Sequence, residues 1–74
     1  MEIYNDSGKA YNRAMDRFLK QKSNDPVYVY RTHVARREMW VVLSTAELKA
    51  NKISAKSAWL DVDGRHGLTN AKER

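Results

Sequence analysis

Histidines and closely spaced aspartates are the first residues of this 74-residue chain to weigh for chemistry. His33 and His66 lie far apart, and no HxxxH, HExxH or cysteine pair accompanies them. A metal centre needs several ligands converging at about 2 Å, so neither histidine has the companions a site requires. Asp61-Val62-Asp63-Gly64 resembles the opening of a calcium loop but lacks the later oxygen ligands and the terminal Glu. Gly8, Gly64 and Gly67 are isolated, so no glycine-rich loop exists to cradle a phosphate. No serine stands in a nucleophile-elbow context. The expectation is a protein with no catalytic residues, no metal and no cofactor. It should fold and work without metal.

Binding chemistry is better supplied. Arg31, Arg36 and Arg37 lie among Tyr28, Tyr30 and Trp40, and cations interleaved with aromatics suit single-stranded nucleic acid. The competing reading makes the aromatics core and the arginines the polar end of a hairpin. A second candidate is the N-terminal run Ile3-Tyr4-Asn5-Asp6-Ser7, an extended segment with an apolar pair and several hydrogen-bonding groups. Such a segment suits a protein partner, with Ile3, Tyr4, Asn5 and Ser7 as contacts and Arg13 and Arg17 assisting from the polar side of the following helix. The same run also reads as a first strand paired with the hairpin. Residues 44–62 have the length of a helix-turn-helix, but residues 44–63 carry three cations against three carboxylates, and the break, 51–54, holds no glycine.

The elements that must position these residues follow from periodicity. Asp6 or Ser7 caps a helix over 8–22, in which Tyr11, Ala14, Met15, Phe18 and Leu19 recur at helical spacing. Pro26 disfavours helical geometry just before it and stops that helix. Residues 27–43 hold two β-branched and aromatic runs, read as a hairpin joined by Ala35-Arg36-Arg37-Glu38; a helix over 32–39 is the rival. One face of the first strand holds Val27, Val29, Arg31 and His33, the other Tyr28, Tyr30, Thr32 and Val34. Ser44-Thr45-Ala46-Glu47 is a capping box, and one broken helix or two short ones follow over 45–62, with Ser54 capping a turn that holds Ala58, Trp59 and Val62. Residues 64–74 offer only Leu68 as an anchor and read as a disordered tail. The expected fold is α+β. An N-terminal amphipathic helix packs on a β-hairpin, with one or two short C-terminal helices, in a single domain over 1–63.

The formal charge is +5 at a pI near 9.8, which favours acidic or polyanionic partners. The charge is spread along the chain with no dense block, so it suits general attraction better than a dedicated nucleic-acid groove. Without cysteine there is no disulfide, and no apolar run is long enough to span a bilayer. The N-terminus is acidic and polar, unlike a signal peptide. A cytoplasmic protein is expected.

Read as a whole, from MEIYNDSGKAYNRAMDRFLKQKSNDPVYVYRTHVARREMWVVLSTAELK onward and over its full length, in size and in basic character, the chain resembles the small phage-encoded regulators of bacterial transcription. The resemblance rests on no diagnostic motif and carries no binding residue across. It implies a monomeric, non-enzymatic protein of the host cytoplasm that binds bacterial RNA polymerase on the largest subunit near the RNA exit region. Such a protein inhibits initiation and promotes antitermination. The residues leave two other partners open: DNA or RNA, and another host protein such as a nuclease.

Overall fold

The computed structural model describes residues 2–63 with their side chains and the backbone of 67–69. The elements run β1 (Glu2–Tyr4), α1 (Ser7–Lys20), β2 (Val27–Val34), β3 (Arg37–Ser44), α2 (Thr45–Ala50), a 3₁₀ turn (Ala55–Ser57), β4 (Leu60–Asp63) and β5 (Gly67–Thr69). The strands form one antiparallel sheet in the order β1-β3-β2-β4-β5. The α+β expectation holds, with a larger sheet than a hairpin alone.

The β2–β3 hairpin forms, and the rival helix over 32–39 does not. Val34 pairs with Arg37, so the turn is only Ala35-Arg36, tighter than the four-residue joint expected. Its φ angles are 50° and 66°, both left-handed, as a type I′ turn requires. Glycine and asparagine normally hold such positions, and this turn has neither.

The sheet is covered on both sides. On one side α1 lies across Val27, Val29, Val42, Leu60 and Val62, approaching through the fully buried Ala10 and Ala14. The expected stripe residues Tyr11, Met15 and Phe18 pack beside that contact, but Leu19 is 73 % exposed. At about 100° per residue Leu19 lies roughly 140° around the helix from Ala14, outside the buried arc. Asp6 is the cap: its Oδ1 accepts from the amides of Gly8 at 2.7 Å and Lys9 at 3.2 Å. Ser7 is the first helical residue instead. Trp40 and Trp59 meet edge-on at this side of the core with centroids 6.1 Å apart.

On the opposite side α2 and the chain after it bury Val41, Leu43 and Leu48, with Tyr28, Tyr30 and Ile53 alongside. The capping box is complete, with Ser44 N–H donating to Glu47 and Glu47 N–H to Ser44 Oγ. The helix ends in a Schellman motif: Ile53 N–H bonds to Leu48 C=O at 3.0 Å and Lys52 N–H to Lys49 C=O at 3.3 Å. Lys52 holds the left-handed position at φ 55°. Beyond it the expected further helix is replaced. Ser54 caps only the 3₁₀ turn, and residues 60–63 extend as β4. Leu60 and Val62 alternate with Asp61 and Asp63, so the period is two, and the apolar pair completes the α1-side core. The helix-turn-helix reading fails with it. Three residues of the expected tail, Gly67–Thr69, pair with β4; the rest of that expectation, with His66, lies outside the described residues.

Candidate functional site

Strand alternation decides which side chains are left uncovered. The register pairs Ile3 with Val41, Met39 with Thr32 and Arg37 with Val34, which puts Ile3, Val34, Arg37 and Met39 on the α2 side of the sheet. The cover supplied by α2 reaches Val41 and Leu43 but stops short of the hairpin end. Ile3 and Val34 are each 49 % exposed; among the described residues the other exposed large apolar side chain is Leu19, alone on the back of α1.

These residues line a shallow groove of about 860 Å³ between the end of β1 and the hairpin tip. Ile3, Val34 and Met39 give it an apolar floor, Asn5 and Tyr4 line the β1 end, and Lys9 and Arg37 contribute cations. Each element has a local cause. β1 ends at Tyr4 because Asp6 begins the cap of α1, while β3 runs from Arg37, three residues beyond the last β1 pairing at Trp40. The two-residue turn carries Val34 and Arg37 side by side at the tip.

The groove gathers Ile3, Tyr4 and Asn5 from the expected protein-contact set, and Glu2–Tyr4 of the same segment forms the first strand, as the other reading of it expected. The rest of that set goes elsewhere. Arg13 Nε donates to Glu2 Oε2 at 2.7 Å and its Nη1 to Asp16 at 2.9 Å. Arg17 bridges Glu47 at 2.8 Å and Glu2 at 3.5 Å, with its side chain 23 % exposed. These arginines tie α1 to β1 and to the capping box of α2. The Arg13 hydrogen bond holds the Glu2 carboxyl below its ordinary range; for Glu47 the Ser44 backbone amide is the leading cause, with Arg17 adding to it. Tyr4 points its hydroxyl to Glu2 Oε2 at 2.9 Å. Ser7 sits in the first turn of α1, apart from the groove lining.

The arginines of the expected nucleic-acid set do not share a face. Arg31 lies on the α1 side, where its Nε meets Glu38 at 3.2 Å; Arg36 is in the turn, and Arg37 lines the groove on the other side. Lys9, Val34 and Met39 were missed as site residues. Alternation along β2 already put Val34 on the Tyr28 face, but only the short turn brings Met39 and Arg37 beside it, and only the chain path brings Lys9.

Among the described residues no group of three or more histidines and carboxylates converges to hold a metal, and His33 is exposed. No described helix is long and apolar enough to cross a membrane. No protein-family model, curated protein or solved structure matches this chain.

Proposed function

We propose that this chain is a non-catalytic regulator that works by docking on a protein, and that its partner is bacterial RNA polymerase, bound on the largest subunit near the RNA exit region. The observation that carries the docking reading is the groove. It is an uncovered apolar floor on an otherwise well-covered sheet, rimmed by cations, and patches of this kind mark interaction sites. The polymerase is supplied by the likeness to small phage transcription regulators. Bound there, the protein inhibits initiation at host promoters and lets elongating enzyme pass terminators. The positive charge speeds approach to the acidic and nucleic-acid-lined surfaces of polymerase, while a few buried anchors set the affinity.

Direct DNA or RNA binding has less support, because the three arginines that suggested it are divided between two faces and the turn. A purified transcription assay tests the proposal. The protein should reduce promoter-specific product at near-stoichiometric amounts, and polymerase should be retained in a pull-down after nuclease treatment. No effect on initiation or termination at roughly tenfold excess, where a regulator of micromolar affinity would already act, ends it.

A further inference from the structure

Resting on the reading of the groove as a docking surface, we infer that its occupant is an extended acidic segment of the partner protein, with an apolar side chain on the Ile3–Val34–Met39 floor and carboxylates against Lys9 and Arg37. Charge complementarity points to it. Arg13, Arg17, Lys20 and Arg31 all have carboxylate partners. Lys9 and Arg37 have none among the described residues, and no Asp or Glu lines the groove. Glu38, the neighbour of Arg37, faces the other side of the sheet and is held by Arg31. Two cations therefore stand at an apolar surface without counter-charge, an arrangement that a bound carboxylate neutralises. An incoming carboxylate meets Arg37 as a planar fork able to take both oxygens.

The shape selects an extended chain. β1 stops at its pair with Trp40 while β3 continues to Arg37, so the sheet has a step beside residues 37–39. An extended segment laid along a step of this kind turns alternate side chains to the same face, which sets carboxylates on either side of one apolar anchor. A nucleic acid fits less well. Its phosphates would find the cations, but the floor is aliphatic, and the groove's Tyr4 packs its ring against the α1-side core instead of offering it to bases.

Fluorescence anisotropy with purified protein tests this without polymerase. The probes are a labelled peptide of about six residues, Ser-Glu-Ser-Leu-Ser-Glu, in which Glu, Leu and Glu share one face of the extended chain, the same peptide with Lys for Glu, and a labelled single-stranded oligothymidine. The acidic peptide should bind saturably and the lysine peptide should not. Lys9→Glu with Arg37→Glu should weaken the acidic peptide at least tenfold and create binding of the lysine peptide, a gain that misfolding cannot produce. Ile3→Ala with Val34→Ala should weaken the acidic peptide while circular dichroism stays unchanged. Equal binding of both peptides, tighter binding of the oligonucleotide, or an unaffected charge-reversal variant each overturns the inference. If the charge-reversed protein still captures polymerase as the wild type does, the acidic occupant is wrong and the polymerase reading stands. If the peptide data hold and wild-type protein captures no polymerase, the partner is wrong and the occupant chemistry stands.

Discussion

The hairpin tip is a place where the sequence works against its own fold, and relieving it has a calculable effect. Ala35 and Arg36 both occupy the left-handed region, at φ 50° and 66°, where a Cβ crowds the backbone by roughly 1–2 kcal/mol per residue. Arg36 has no ion pair among the described residues, so replacing it forfeits little else. The perturbation is Ala35→Asn with Arg36→Gly, the pair that type I′ turns favour. Asparagine tolerates the left-handed region better than alanine and recovers part of the first cost. Glycine removes the second but returns roughly 0.5–1 kcal/mol as extra freedom of the unfolded chain. The net gain is about 1 kcal/mol, a large share of the roughly 3–5 kcal/mol that a domain of this size commands. Thermal unfolding followed by circular dichroism should shift upward by about 4–8 °C, and the urea midpoint should rise with the slope unchanged. Ala35→Val should move both the other way, because a β-branched residue fits the left-handed region poorly. A variant with an unchanged or lower midpoint refutes the strain argument.

Lys52→Gly, at the left-handed position ending α2, should stabilise by up to about 1 kcal/mol in the same urea titration. Leu43→Ala opens a cavity in the α2-side core worth about 2–5 kcal/mol, so the variant should be largely unfolded at 37 °C by circular dichroism. The Glu2 and Glu47 carboxyls sit below their ordinary value of 4.5, so the unfolded chain binds their protons first. Their stabilisation is full above about pH 4.5 and is lost as pH falls through the folded values; Glu2→Gln should flatten that acid slope in pH-dependent melting. Burial pushes the Tyr30 hydroxyl, which donates to the Ser54 carbonyl at 2.8 Å, up to about 12. Stability from this group is intact below about pH 10 and lost as pH rises toward 12, and ultraviolet titration should show a late tyrosine that Tyr30→Phe removes.

What could be read in advance was whatever local chemistry dictates. The first helix, the hairpin and the Ser44–Glu47 capping box all depend on residues a few positions apart, although the helix ends at Lys20, two residues short of the expected bound, with Gln21 already extended. β4 was hidden because its signal is only Leu60 and Val62 in alternation, too short to outweigh Ser54 as an apparent helix cap. The roles of Arg13 and Arg17 depend on partners 11, 15 and 30 residues away, so their exposure could not be judged from the helix alone. The site was half legible for the same reason. Ile3, Tyr4 and Asn5 announced themselves as an extended apolar-polar segment, whereas Lys9, Val34 and Met39 join them only through the sheet register and a two-residue turn with atypical residues.

The central claim is that the Ile3–Val34 groove is the face that meets polymerase. The most direct test is the equilibrium affinity of polymerase for three folded proteins: wild type, Ile3→Asp with Val34→Asp, and Leu19→Ala. The last alters a side chain that is 73 % exposed on the back of α1, away from the groove. The groove variant should lose at least tenfold in affinity, about 1.4 kcal/mol, and Leu19→Ala should change nothing. Wild-type affinity in the groove variant, or a loss confined to Leu19→Ala, contradicts the claim.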